Sequence, residues 1–205
     1  VKAEYDLKTS HIIVGGGSNM EIMHLSEYST YNTYPPYENT PDSIKFQQTI
    51  YDVYAQADMN GGTFNKTLSP ISLLIGLRYS NNSRFGNNLC YEINPYYKIN
   101  KNSMMFLSYS TGFNAPSLYQ TYSPSVYGND PSITIGNSKL TPETSNSLEI
   151  GVKHRVSNSV FFTLSWFKTE VNNYVDYVAL WTKNKSVDSL GYSDFMGNTY
   201  LNVGQ

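Results

Sequence analysis

One cysteine, few charges and no long apolar run set the first bounds on this chain of 205 residues. Cys90 stands alone, so no intrachain disulfide can form and a disulfide-stapled scaffold is excluded. Lys, Arg, Asp and Glu together make 15% of the residues, with a net charge of −2 and no cluster of Lys or Arg. Such a chain has no basic field to hold nucleic acid. There is no Gly-rich phosphate loop and no Gly-x-Ser-x-Gly nucleophile turn. His11, His24 and His154 lie far apart without metal-ligand spacing, and the carboxylates are dispersed. The chain is therefore expected to be neither an enzyme nor the holder of a cofactor or metal. A transmembrane helix needs about 18 or more consecutive apolar residues, and none are found. A membrane-spanning strand needs only about 9–11 alternating residues, so a membrane is not excluded.

What the chain does have is tyrosine, 19 of them, with much Asn, Ser and Thr, a composition that favours strands and turns over helices. Apolar and polar residues alternate with period two, the spacing of a strand with one oily and one wet face. Residues 1–7 set Val1, Ala3, Tyr5 and Leu7 against Lys2, Glu4 and Asp6. Similar runs occupy 49–59, 71–79, 91–99 and 147–156. In 71–79, for example, Ile71, Leu73, Ile75 and Leu77 oppose Ser72, Gly76 and Arg78. Less regular strands are expected at 11–25, 104–113 and 160–169, and a further one at 198–205. The connections alternate in length. Residues 8–10, 100–103 and 157–159 are short; 28–43, 80–88, 114–146 and 176–197 are expected as long or polar loops. Up-and-down strands with short turns at one end and long loops at the other describe an outer-membrane barrel. A soluble or surface-attached β-sandwich, binding carbohydrate through Tyr-rich loops, alternates as well and stays open at this point.

One ordered passage narrows the choice. Thr111-Gly112-Phe113 precedes Ala115-Pro116-Ser117-Leu118; a long loop follows; then Leu140-Thr141-Pro142-Glu143-Thr144-Ser145 leads into Leu148-Glu149-Ile150-Gly151. This order resembles a passage in the C-terminal part of TonB-dependent outer-membrane receptors. Tyr54-Ala55-Gln56-Ala57-Asp58, Leu77-Arg78-Tyr79 with Phe85-Gly86, Phe167 through Tyr177, and Tyr200-Leu201-Asn202-Val203-Gly204 are similar to further strands of that family. The resemblance implies an all-β, antiparallel, up-and-down transmembrane β-barrel. Residues 1–205 would supply about nine strands of a 22-stranded wall, with the plug domain and the last strands absent. It also implies a place in the bacterial outer membrane, contact with its lipid, and TonB engaged through an N-terminal part not present here. The cargo would be a scarce bulky nutrient, a cobalamin-type corrinoid or a ferric siderophore; Ala115 through Tyr122 is most similar to the cobalamin-receptor branch.

Candidate ligand contacts follow from loop chemistry. Tyrosine offers a rigid apolar ring with one polar tip at modest entropic cost. Tyr34 and Tyr37, in the loop after the second strand, and Tyr119, Tyr122, Tyr127 and Asn129, in the longest loop, are the residues expected to touch a ligand. Packing of these rings against neighbouring loops is the alternative use. Pro142 and Glu143 are expected to fix the re-entry of the chain into the next strand.

Overall fold

The computed structural model describes residues 1–7, 9–25, 29–31, 37–39, 44–123, 134–183, 190–191 and 194–204. The strands, in chain order, are β1 (Lys2–Leu7), β2 (Ser10–Leu25), β3 (Ser29–Tyr31), β4 (Tyr37–Asn39), β5 (Ile44–Asn60), β6 (Ile71–Asn82), β7 (Gly86–Lys98), β8 (Ser103–Asn114), β9 (Thr134–Ile135), β10 (Glu143–Arg155), β11 (Phe161–Asn172), β12 (Tyr174–Trp181) and β13 (Phe195–Val203). One short helix, α1 (Leu118–Tyr122), interrupts the loop between β8 and β10. Eight strands form a single sheet in the order β1-β2-β5-β6-β7-β8-β10-β11. Each pairs antiparallel with its neighbour. Two smaller sheets, β12-β13-β9 and β3-β4, complete the architecture.

The register turns the alternation of single strands into two continuous faces, because directly paired residues point the same way. Ile71, Tyr97, Met105, Val152 and Leu164 line up across five strands. On the other face Gln56, Gly76, Glu92, Ser110, Ser147 and Thr169 do the same across six. Among the described residues no second layer covers the apolar row: Leu77 is 49% exposed, Ile150 48% and Trp166 57%. Apart from Pro116, Leu118 and Leu140 are the only buried hydrophobic side chains among the described residues. A β-sandwich places this row between two sheets and hides it. A soluble monomer rarely bares more than a few hundred Å² of contiguous apolar surface. The sandwich reading therefore fails on the exposure of Leu77, Ile150 and Trp166, and the apolar face belongs against hydrocarbon.

Two expected loops fold differently. Residues 83–85 form a tight turn where 80–88 were expected as a polar loop, because β6 runs to Asn82 and β7 starts at Gly86. The Asn82 side-chain oxygen accepts the backbone N–H groups of Arg84 and Phe85 at 2.9 and 3.2 Å. Gly86 supplies a φ of +75°, open to glycine at little cost. The polar residues that suggested a mobile loop are the cap of that turn and the wet faces of its strands. The even alternation of short and long connections breaks here. The stretch after 176 is also more ordered than expected, since β12 and β13 pair from Tyr174↔Val203 to Trp181↔Phe195. Asn173, with φ +56°, is the joint at which the chain leaves β11 and enters β12. Asn is among the few non-Gly residues that adopt this conformation readily.

At the opposite end, the connection from β5 to β6 holds two 3-10 turns. Asn60 and Asn65 cap them, their side chains accepting the N–H groups of Gly62 and Thr67 at 2.9 and 3.0 Å.

Candidate functional site

Polar side chains and a folded-in loop meet on one face of the sheet, at the end bearing the β8–β10 connection. A helix of five residues has little stability of its own in water. Local caps and tertiary anchors hold α1. Ser117 is its N-cap: the Ser117 hydroxyl accepts the Gln120 N–H at 3.2 Å, and the Gln120 side chain accepts the Ser117 N–H at 2.9 Å. This reciprocal capping box satisfies two donors that a helix start otherwise leaves open. Leu118 and Pro116 are fully buried. The Leu118 N–H donates to a Glu21 carboxylate oxygen of β2 at 3.1 Å. The Tyr122 ring stacks on Phe46 of β5, with centroids 4.0 Å apart and planes 9° from parallel. The Arg84 guanidinium carbon lies 4.2 Å from the same ring centroid. Each partner at that distance needs a ring face of its own, so Tyr122 is held between an aromatic ring and a cation. Burial lowers the Arg84 pKa from its usual value, and the group stays cationic.

The rest of the loop reaches across to the small sheet. Gly136 N–H donates to Ser123 C=O at 2.8 Å and Asn137 N–H to Gln120 C=O at 2.9 Å. The Asn137 amide donates to Tyr200 C=O at 2.9 Å, and the Thr199 hydroxyl to Ile135 C=O at 2.7 Å. Thr141 and Asn202 exchange two bonds, at 2.8 and 2.9 Å. The loop is thus tied to β2 and β5 at one end and to β13 at the other. Glu143 marks the re-entry: its two carboxylate oxygens accept the Val175 N–H at 2.6 Å and the Asn114 amide at 2.7 Å.

Gly136 sits where a side chain has no room. A Cβ there would meet the backbone of Thr121, Tyr122 and Ser123, at 2.6 Å from the Tyr122 nitrogen. Gly136→Val is therefore expected to detach the 134–137 segment from α1. The variant barrel should fold, but trypsin or proteinase K should cut between residues 115 and 142 much faster than in the parent. An unchanged cleavage rate in that region would refute the assignment.

Below α1 the polar face carries an ion pair. Arg78 Nε and Nη2 lie 3.1 and 3.0 Å from one oxygen of Asp52, which also accepts the Ser80 hydroxyl. Next to it is a cavity of about 260 Å³, lined by Glu21, Gln48, Ser80, Asn82, Asn114 and Ser117 among others. No group of three or more His, Cys, Asp or Glu that could hold a metal ion occurs among the described residues.

Of the residues expected to touch a ligand, Tyr119 and Tyr122 share α1. Tyr119 is half exposed, and Tyr122 is packed between Phe46 and Arg84. Tyr37 lies in β4. Tyr34, Tyr127 and Asn129 fall outside the described residues. Phe46, Gln48 and Glu21, which join the helix to the sheet or line the cavity, were not among the candidates. The expected strand began at residue 49 and so left out the start of β5. The capping-box spacing Ser117…Gln120 was the one legible sign that a helix starts there.

The chain matches a family model described as TonB dependent receptor-like, beta-barrel, over residues 2–205. It is 28% identical over 121 residues to the vitamin B12 transporter BtuB of Vibrio cholerae, a match covering 59% of this chain and 18% of that protein. It is 26% identical over 151 residues to a probable TonB-dependent siderophore receptor, PirA, of Acinetobacter baumannii, covering 69% of this chain and 19% of the other. Among solved structures, the siderophore receptor PirA from Pseudomonas aeruginosa superposes with a TM-score of 0.69 at 19% identity, over 98% of this chain and 36% of that one. The copper transporter OprC superposes at 0.67 with 12% identity, over 98% of this chain and 32% of that one. The chain thus spans less than a fifth of the curated relatives and about a third of the solved ones.

Proposed function

Because this chain belongs to the TonB-dependent receptor-like β-barrel family, whose barrels reside in the bacterial outer membrane and are not enzymes, we propose that it forms part of the wall of a receptor importing a scarce, bulky nutrient. On this reading the cargo is a cobalamin-type corrinoid or a ferric siderophore, gripped at the extracellular mouth and released to the periplasm with energy supplied through TonB. A lumen-filling plug and the segment that contacts TonB lie in other parts of the protein. The wall would hold no cofactor of its own.

The observation that carries this reading is the asymmetry of the sheet. One face is bare and apolar; the other is polar and has a long loop folded over its end, with α1 on β2 and β5. Lipid suits the first, and a water-filled passage with a capture site at its entrance suits the second. Tyr119, half exposed on α1, and Tyr37, in the connection between β2 and β5, are the candidate ligand contacts on this reading, together with Tyr34, Tyr127 and Asn129; Tyr122 is the anchor of the helix.

The test is uptake by the full-length receptor in a Gram-negative host lacking its own corrinoid and siderophore receptors. Radiolabelled cyanocobalamin or a ferric chelate should accumulate only when TonB and the proton gradient are intact. Removing residues 119–137 should reduce accumulation to background. Entry that ignores TonB, or that survives the deletion, would show a different kind of channel.

A further inference from the structure

Two buried polar atoms in the cavity beneath α1 have no hydrogen-bond partner among the described residues. Gln48 is 4% exposed and Asn82 3% exposed. The Gln48 side-chain oxygen and the Asn82 side-chain nitrogen make no hydrogen bond. Buried polar groups are almost always bonded, and leaving one open is costly. The orientation of Asn82 is fixed by chemistry: its oxygen accepts the two N–H groups of the 83–85 turn, so its NH₂ must be the free end. Asn82 pairs directly with Ile50, and Gln48 is two residues before Ile50 on the same face. That makes Gln48 and Asn82 diagonal neighbours, about 7–8 Å apart at the backbone. With Gln48 oriented as in the structure, its oxygen inward, one open acceptor and one open donor face a single cavity of about 260 Å³.

The charges around the cavity cancel or lean negative. Of its lining residues, Arg78 is held by Asp52 and Glu21 contributes a carboxylate from the paired position beside Gln48; Arg84, whose Nε has no hydrogen-bond partner, lies against Tyr122 and does not line the cavity. Among the described residues lining the cavity Arg78 is the one cation, and Asp52 holds it, so a polyanion meets no unengaged cation there and Glu21 repels it. A neutral group that both donates and accepts, with its two functions on one carbon, meets the open pair on both sides. A primary carboxamide is such a group: its NH₂ donates to Gln48 and its C=O accepts from Asn82.

We propose that this cavity is a subsite for a carboxamide of a neutral cargo, which, on the receptor reading above, favours a corrinoid type of nutrient over an anionic ferric chelate. Ser117 and Ala115, at the root of α1, also line it, so the loop forms the upper wall of the subsite.

The experiment is binding to the full-length receptor in detergent, with cyanocobalamin as the carboxamide-rich probe and a ferric tris-catecholate as the anionic one. Asn82→Asp keeps the oxygen that caps the turn and removes the donor; Gln48→Met removes the acceptor at similar volume. Each should weaken cyanocobalamin binding on the order of tenfold or more, because the carboxamide is left with a missing partner. Unchanged strand content by circular dichroism shows that the variants fold. Four results would overturn the proposal. The catecholate binds and cyanocobalamin does not, which leaves the receptor reading standing. Cyanocobalamin binds with equal affinity to parent and variants. The variants lose thermal stability but no affinity, which places a backbone amide of another segment in the cavity. Neither probe binds, which removes the receptor reading as well.

Discussion

Ile150→Arg is expected to destabilise the membrane-inserted sheet by about 2–4 kcal/mol, whereas Glu149→Arg should leave its stability near that of the parent. The two positions are consecutive on β10 yet belong to different solvents. Ile150 pairs with Leu107 on one side and Trp166 on the other, in the middle of the exposed apolar face. Glu149 pairs with Ser108 and Phe167 on the polar face. An arginine at the centre of a bilayer loses its hydration, and the barrel wall offers it no partner. At position 149 the same group stays wet. The measurement is reversible urea unfolding in phospholipid vesicles, followed by tryptophan fluorescence. Equal losses at 149 and 150, or a harmless arginine at 150, would mean that the apolar face does not meet lipid.

Leu118→Ala should release the loop from the sheet, at a cost of about 2–5 kcal/mol to the folded loop and little to the barrel. Leu118 is the fully buried first residue of a helix of five, and apart from Pro116 only Leu140 shares its burial among the apolar side chains of the described residues. A truncated side chain leaves a void that the short helix cannot close without losing its bond to Glu21 and its stack on Phe46. Tyr119→Ala, on the half-exposed side of the same helix, is the control and should leave the loop in place. Hydrogen exchange of the α1 amides reads the difference directly. If the Leu118 variant protects those amides as well as the parent does, the helix is held by something other than this side chain.

The strands were legible because a sheet with hydrocarbon on one side and water on the other imposes period two on every residue. The runs at 71–79 and 147–156 state that pattern outright. What stayed hidden was decided by contacts distant in sequence. The 83–85 turn looked like a loop because Asn82 caps it with a side chain, and one asparagine among several polar residues gives no sign of that. β12 was read as loop because its partner, β13, lies beyond a long connection and outside the main sheet. The same holds for the site. Phe46 and Gln48 became visible only once β5 was seen to begin at Ile44, and Arg84 only once Tyr122 was seen beneath it. The ring of Tyr122 is as suited to packing as to ligand contact, and its neighbours decide between the two.

The tie between the β8–β10 loop and β13 has a mechanical consequence. β12 and β13 pair as an arm beyond the joint at Asn173, and Asn137, Thr141 and Asn202 fasten the loop to it. The other end of the loop is bolted to β2 and β5 through Leu118 and Tyr122. A tug on the arm is therefore transmitted across the full width of the sheet to strands several positions away. Deflection of β13 and displacement of α1 are, mechanically, the same event.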